Sequence, residues 1–390
     1  MEKLHFPPSL DADSFLRDYW QRQPLLMRQA LPGFFSPLTP DELAGLACET
    51  DVEARLVLER SGRRPWEVRQ GPFSEAEFAS LPETHWTLLV QDVDKHVPEA
   101  GRLLEAFRFL PSWRIDDIMI SFAPDQGSAG PHVDDYDVFL VQAWGRRRWR
   151  IHTRPVPEDE FIPGLDLRIL ADFLPEREWL LAPGDVLYLP PGVAHWGLAE
   201  GDCMTWSVGF RAPSWRELAT AWSEHLIERR MPPGRYRDPG LRRQRHHAEI
   251  CPDVLVRVGD ALDACLAMEP SELRRWFGCF STEVKEQLQV YPAERPVTAL
   301  ALATQLEAHR MLRRNDYSRL AFSRGDEGTD YLFANGTCYA LASELGGFLP
   351  ALTRSRELPV DRLRDWLDRP ACLELLCQLI NAGHFTLEHD

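Results

Sequence analysis

The middle of the chain is a series of short segments in which apolar and polar residues alternate. These segments lie between residues 114 and 213, are rich in β-branched and aromatic residues, and are separated by Gly/Pro turns. Alternation with a period of two is typical of strands, and several strands in succession predict a β-sandwich or barrel. The segments are IDDIMISFAP, YDVFLVQAW, RRRWRIH, EWLLAPGDVLYLPP and CMTWSVGFRAP.

The pattern changes on both sides of this strand-rich region. Up to about residue 110 the chain combines turn-rich stretches with short helical ones. At Ser214 a capping-box pattern with Glu217 begins an amphipathic helix, and the linker-like stretch YPAERPV follows later. The last part indicates helix, hairpin and helix, with the hairpin turn at Asn335-Gly336 and the final helical stretch LPVDRLRDWLDRPACLELLCQLINAG. We therefore predict a mainly β domain over 1–213, a helical region over 214–290 and a small α+β domain over 291–390.

Composition limits the partners and the compartment. The formal net charge of −16 opposes direct binding to nucleic acid phosphates and attracts basic proteins. The N-terminus lacks the apolar run of a secretory signal, and no segment is apolar enough to span a bilayer. The eight cysteines form no CxxC pair, so we expect reduced thiols in a cytoplasmic protein.

One stretch of the strand-rich region, GPHVDDYDVFLVQ, has a histidine and three aspartates ahead of the apolar residues of a core strand. His132 and Asp134 are two residues apart, so strand alternation points both side chains to one side. His195 follows a rigid Pro-Pro-Gly turn further along the same region. Two histidines and one carboxylate form the facial triad of non-haem Fe(II) oxygenases, which leaves positions open for dioxygen and a co-substrate. Asp137 has the opposite parity, so we expect it to point outward.

Parity in GRRRWRIH singles out an arginine. Arg146, Arg148 and Arg150 share one face and belong in water, which turns Arg147 inward with Trp149. An inward arginine needs an anion, and 2-oxoglutarate is the candidate that fits an Fe(II) oxygenase. A structural Asp or Glu elsewhere in the fold is the alternative partner.

Small hydroxyls also point into the predicted barrel. Ser121 shares a strand face with Asp117 and Met119, and Thr205 lies on the last strand. Either hydroxyl could donate a hydrogen bond to the co-substrate or satisfy the neighbouring backbone.

GPHVDDYDVFLVQAWGRRRWRI, LAPGDVLYLPPGVAHWG and SVGFRAP resemble the bacterial JmjC-type ribosomal oxygenases, and the resemblance covers nearly the whole chain. It implies a double-stranded β-helix (cupin/JmjC) catalytic domain, a helical dimerisation region and a C-terminal winged-helix-like domain. It also implies an Fe(II)- and 2-oxoglutarate-dependent homodimer that hydroxylates an arginine of ribosomal protein L16. The family's metal ligands fall on His132, Asp134 and His195, its co-substrate arginine on Arg147 and its late-strand hydroxyl on Thr205.

A substrate guanidinium needs an acidic or aromatic receptor. Asp125, in the loop before the first metal ligand, is the predicted acid, and Tyr136 and Trp144 are the predicted aromatic contacts. Two alternatives stay open: a JmjC oxygenase acting on a histidine or lysine residue of another protein, and a non-catalytic metal-binding cupin.

Overall fold

An antiparallel ten-stranded sheet organises the first half of the chain, in the order β1-β9-β7-β10-β5-β4-β2-β3, with β6 paired to β10 and β8 to β7. The computed structural model describes residues 3–59, 66–157, 160–165, 167–230, 235–243, 245–325 and 328–388. The strands are β1 Leu25–Met27, β2 Ala54–Glu59, β3 Trp66–Gln70, β4 Trp86–Val90, β5 Ile115–Ala123, β6 His132–Val133, β7 Val138–His152, β8 Arg177–Leu181, β9 Val186–Leu189 and β10 Ala194–Phe210.

The longest strands differ from the sequence prediction. β7 is one strand where the sequence suggested two, and β10 begins at Ala194, well before the predicted start. In their pairing, Thr205 faces Gln142 and Met204 faces Trp144, so Ala143 is an extra residue in β7. Such a bulge bends a strand and exchanges its inward and outward faces. Gly145, at φ +62°, follows the bulge where any Cβ would collide with the Asp202 carbonyl.

The N-terminal region is not only turns and short helices. Strands β1 to β4 extend the sheet at both of its ends, a contribution that the sequence prediction missed. The same region contains the short helices α1 Ala12–Asp18, α2 Pro40–Leu46, α3 Glu75–Ala79, α4 Val93–His96 and α5 Pro98–Gly101, and then the 3-10 turns Arg102–Phe107 and Ser112–Arg114.

This N-terminal layer corrects the prediction for Asp137. The residue faces away from the metal ligands, as parity indicated, but it is completely buried. Its carboxylate accepts hydrogen bonds from Tyr188 Oη at 2.6 Å, Gln21 Nε2 at 2.8 Å and Arg114 Nη2 at 3.1 Å. The outer face of the sheet here is covered by the N-terminal segment, so it forms a second core instead of a solvent-exposed surface.

Helices then connect the sheet to a smaller domain. α6 Trp215–Arg230 begins at the predicted capping box, in which Glu217 Oε2 accepts from Ser214 N at 2.6 Å and Ser214 Oγ accepts from Glu217 N at 3.1 Å. The remaining helices are α7 Pro252–Leu266, α8 Pro270–Thr282, α9 Ala299–Ala308, α10 Phe348–Leu352, α11 Arg364–Leu367 and α12 Pro370–Asn381.

The C-terminal part contains two three-stranded sheets. Asn335 and Gly336 form the predicted two-residue turn, both with positive φ, which suits the twist of a hairpin. The predicted final helix is interrupted: its first residues form β15, and Pro370 begins α12, where it removes no hydrogen bond. The strands are β11 Met311–Arg314, β12 Leu320–Ser323, β13 Thr329–Ala334, β14 Thr337–Ala342, β15 Glu357–Pro359 and β16 Phe385–Glu388.

The eight cysteines are all free thiols, as expected. Within the described ranges, no helix combines the length and the apolar character needed to cross a membrane.

Candidate active site

Three candidate metal ligands meet where β6 and β10 pair. The register places His132 of β6 opposite His195 of β10, and Asp134 directly follows β6. Ligand atoms of the three residues all lie within 4.8 Å of one another, and Asp134 Oδ2 is 3.6 Å from His195 Nε2. Gly192, in the Pro-Pro-Gly turn, donates its N–H to the Asp134 carbonyl at 2.9 Å. Two imidazoles and one carboxylate in this arrangement fit a facial triad that leaves coordination positions open.

Each histidine is oriented by a carbonyl two residues earlier in the chain. His132 Nδ1 lies 2.8 Å from the Gly130 oxygen, and His195 Nδ1 lies 2.9 Å from the Val193 oxygen. A carbonyl can only accept, so both Nδ1 atoms carry the hydrogen and both Nε2 atoms offer a lone pair. Burial and the neighbouring His132 lower the pKa of His195 to about 4, which keeps this imidazole neutral and able to bind a metal.

β7 brings an unpaired cation into the same cavity, whose volume is about 410 Å³. Arg147 is 5% exposed, and its Nη1 donates to Ser121 Oγ at 3.3 Å. Among the residues described, its Nε and Nη2 are buried without a hydrogen-bond partner. No carboxylate is hydrogen bonded to it there, so the alternative of a structural acid finds no support. A buried guanidinium with free donors fits a carboxylate ligand.

The two predicted hydroxyls lie beside this arginine and are occupied within the protein. Ser121 Oγ donates to the Thr205 carbonyl at 3.2 Å and accepts from Arg147, while Thr205 Oγ1 donates to Gln142 Oε1 at 3.0 Å. Ser121 therefore orients the guanidinium, and Thr205 holds β10 against β7. Direct contact of either with a co-substrate stays a prediction.

An acid and an aromatic ring line the rest of the cavity. Asp117 Oδ2 accepts the Asp92 N–H at 2.9 Å. Burial and the carboxylates of Asp92 and Asp116 raise the pKa of Asp117 to about 7. Tyr136 lines the same cavity with its ring 42% exposed. Loss of hydration and the Asp134 carboxylate raise the pKa of its phenol, so the hydroxyl stays protonated.

Comparison with known proteins gives matches in both halves of the chain. A profile described as a JmjC domain matches residues 102–218, and one described as a ROXA-like winged helix matches residues 265–386. The ribosomal protein uL16 3-hydroxylase of Escherichia coli (strain K12) is 35% identical over 386 residues, which cover 99% of this chain and 100% of that protein. The chain belongs to the JmjC-type ribosomal oxygenases.

Other ribosomal oxygenases support the same fold. A probable ribosomal oxygenase of Haemophilus influenzae is 44% identical over 214 residues, which cover 54% of this chain and 52% of that protein. An Escherichia coli ribosomal oxygenase solved in complex with cobalt and 2-oxoglutarate superposes with a TM-score of 0.83 at 34% identity, covering all of both chains. The predicted JmjC fold followed by helices and a winged-helix domain is confirmed.

Two predicted substrate contacts of this ribosomal oxygenase are not brought to the cavity. The Asp125 carboxylate accepts the Gly201 N–H at 2.7 Å, so it fastens two neighbouring turns together. Trp144 is 45% exposed, and its ring stacks on Phe122 with centroids 6.5 Å apart. The bulge at Ala143 turns Trp144 to the outer face of the sheet.

Sequence reasoning missed an acid that lines the cavity, Asp117. Asp117 shares the β5 face of Ser121, so its inward direction was visible in the parity. Its enclosure was not visible, because β4 and the α4 segment that cover it belong to the region predicted to combine turn-rich stretches with short helices. Lys285, from the loop after α8, also reaches this rim and contacts Asp92 Oδ2 at 2.7 Å, a long-range contact with no sequence signal.

Proposed function

We propose that the chain is an Fe(II)- and 2-oxoglutarate-dependent dioxygenase that hydroxylates an arginine side chain of ribosomal protein L16. The similarity to a uL16 3-hydroxylase supports the protein substrate. The observation that carries the choice of arginine is the Asp117 carboxylate, which lines the same cavity as the three metal ligands.

The residues fit the metal and the co-substrate. His132, Asp134 and His195 would hold Fe(II) through two neutral imidazoles and a carboxylate, and Arg147 would bind the far carboxylate of 2-oxoglutarate. With dioxygen, the bound iron and 2-oxoglutarate supply the oxidising power to hydroxylate an unactivated carbon, and succinate and carbon dioxide are the co-products. Val138, Leu140 and Trp149 of the cavity wall restrict the access of water.

Two groups would position the substrate side chain. The ionised Asp117 carboxylate accepts hydrogen bonds from a guanidinium, a pairing that can be bidentate. The Tyr136 ring would pack against the aliphatic part of the arginine or against its planar head. Asp117 binds the charged end and thereby leaves the methylene carbons on the side of the metal ligands.

The whole-molecule charge supports a basic protein substrate. A net charge of −16 attracts a cationic ribosomal protein and opposes direct binding to nucleic acid. A ribosomal protein substrate also supports the proposed cytoplasmic location.

Mass spectrometry tests the substrate. Purified protein with Fe(II), 2-oxoglutarate and L16 should add one oxygen, about 16 Da, to an arginine-containing peptide, as expected for facial-triad chemistry. Modification of a histidine or lysine instead would favour the other JmjC activities. Absence of any succinate formation with the metal-loaded protein would favour the non-catalytic cupin.

The expected homodimer has a structural candidate in the helical region 214–290. Several large apolar side chains of α7 are exposed, and their spacing follows one helical face. Their exposed fractions are 62% for Leu255, 38% for Val258, 52% for Leu262 and 50% for Leu266. We propose that a second copy of the chain covers this face, because a contiguous apolar stripe of this kind marks an interface.

Light scattering tests the dimer. The wild-type chain should have twice its monomer mass, and Leu255→Lys with Leu262→Lys should give a folded monomer. Lysine substitutions at exposed polar positions of the same helix, Asp260→Lys and Asp263→Lys, serve as controls for added charge. A wild-type monomer at micromolar concentration would contradict the proposal.

A further inference from the structure

A second cavity, of about 380 Å³, lies between the catalytic domain and the C-terminal domain. Its walls come from the two 3-10 turns before β5, the end of α8, β11 and the segment 353–356 after α10. Ion pairs join the two domains around it, with Arg356 Nη2 at 3.2 Å from Asp94 Oδ2 and Arg319 Nη1 at 3.2 Å from Asp116 Oδ1. Among the residues that the structure describes, Asp116 alone lines both this cavity and the catalytic one.

Basic side chains outnumber acidic ones in these walls, although the whole chain is strongly acidic. The lining contains six cationic and four anionic residues. Each acid already has a basic partner: Asp94 pairs with Lys95 and Arg356, Glu105 with Arg108, Asp116 with Arg319, and Asp316 with Arg356. The surplus is therefore Arg314 and Arg354.

These two arginines face the cavity without a carboxylate partner in the part of the chain that the structure describes. Arg314 is partly buried at the end of β11, while Arg354 is exposed beyond α10. Burial and the charge of Arg356 lower the pKa of Arg314 to about 10, so it still carries its charge at neutral pH. Glu105 and Asp316 lie close enough to favour that charge, but both are ion-paired to other arginines.

We propose that this cavity binds a small phosphate ester, with its phosphoryl group held by Arg314 and Arg354. A guanidinium offers paired donors that match a phosphate, and an unpaired, partly desolvated one gains more from an anion than an exposed one. Leu110, Trp113 and Leu320 provide an apolar wall for the organic part of the ligand. The cavity has the size of small-molecule sites, and the net charge of −16 opposes a long polyanion.

Calorimetric titration of the metal-loaded full chain with adenosine monophosphate tests the site. Arg314→Met keeps the apolar stem and removes the charge, and Arg354→Gln removes the charge at the exposed position. We expect each to weaken binding about tenfold or more, the usual effect of losing a hydrogen bond to a charged group. Arg362→Gln, on the exposed surface of the same domain, should bind like the wild type.

Thermal unfolding separates loss of binding from loss of folding. Without ligand, Arg314→Met should unfold at the wild-type temperature or above it, because an unpaired, desolvated charge is removed. With adenosine monophosphate, the wild type and Arg362→Gln should be stabilised and Arg314→Met should not. Equal stabilisation of the wild type and Arg314→Met, or no binding by the wild type, would overturn the proposal.

Two further ligands test which part of a phosphate ester the cavity recognises. Inorganic phosphate should compete with adenosine monophosphate at higher concentration, since it shares the phosphoryl contacts and lacks the apolar ones. A twelve-nucleotide single-stranded RNA should bind no better than the mononucleotide. Tighter RNA binding with a steep salt dependence would identify a polynucleotide surface and reject the small-molecule site.

Discussion

The catalytic cavity has a cationic side at Arg147 and an anionic side at Asp117, and the two differ in the groups that surround the charge. Arg147 is buried with two of its nitrogens unpartnered in the described structure, so its cationic side lacks an anion. Asp117 accepts a backbone hydrogen bond, and its pKa is raised to about 7 by burial and by other acids. The nearby cation Lys285 is ion-paired with Asp92, so burial and the other acids determine the charge of Asp117. The difference indicates the ligands: a permanent cation suits a carboxylate co-substrate, and a titrating carboxylate suits a guanidinium that ionises it.

Removing a metal ligand should have the largest effect, because 2-oxoglutarate and the protein substrate both react only at the metal. We expect His132→Ala to lower succinate formation and hydroxylation by more than about 100-fold, since outer-shell changes alone cause losses of 10–100-fold. The measurement is turnover of 2-oxoglutarate with Fe(II), compared with His85→Ala as an exposed histidine control. Retained turnover would reject the assigned ligand.

Changing the cationic side, at Arg147, should weaken the binding of 2-oxoglutarate only. Arg147→Met removes a buried charged partner, worth about 2–5 kcal/mol, so the KM for 2-oxoglutarate should rise about 30-fold or more. Fe(II) affinity should change little, as measured by metal titration. Equal losses in both would show that Arg147 supports the metal site and does not bind 2-oxoglutarate.

Changing the anionic side, at Asp117, should weaken the binding of the protein substrate only. Asp117→Asn should raise the KM for an L16 peptide about 10-fold to 100-fold, the range for a lost charged hydrogen bond. The KM for 2-oxoglutarate should stay the same. Asp125→Asn is the matched control, and a larger effect there would restore the sequence-based choice of acid.

A change of pH should have the smallest effect, and it should change the KM for the peptide without changing the KM for 2-oxoglutarate. The pKa of Asp117 is raised, so the group is neutral below about pH 7 and charged above it. The acids around it are Asp92, Asp116 and Asp94. The KM for the peptide should therefore fall by up to about tenfold per unit as pH rises from about 6 to 7. Asp117→Asn should remove this dependence, while the KM for 2-oxoglutarate should show none.

Much of the site could be predicted because it depends on local spacing. His132-x-Asp134 and the inward direction of Arg147 follow from alternation within single strands, and the Pro-Pro-Gly turn in the same strand-rich region pointed to His195 as the third ligand, in agreement with the family resemblance. The mainly β character of the first domain, the capping box at Ser214 and the hairpin at Asn335-Gly336 were likewise local signals, and the structure contains each of them. The double-stranded β-helix and the winged-helix-like domain came from the family resemblance.

The errors arose where one local segment meets another. Trp144 was predicted as an aromatic substrate contact, but a single extra residue at Ala143 turns its side chain to the outer face of β7, and bulges leave little trace in composition. Asp125 was chosen for its position before a ligand, while the covering of Asp117 depends on strands far away in sequence. Asp137 points outward as expected, but it is buried because the N-terminal segment packs on that face, a contact that parity within one strand does not show.

Each of the two candidate metal-binding histidines is hydrogen bonded to the backbone carbonyl two residues before it, so a segment of three residues sets the orientation of each ring. Gly130 to His132 and Val193 to His195 each fix a ring within their own turn, independently of the side chains that line the cavity. The orientation of these rings does not depend on the residues that would select the substrate. The wall around Asp117 could be redesigned for a different side chain while both histidine rings stay oriented.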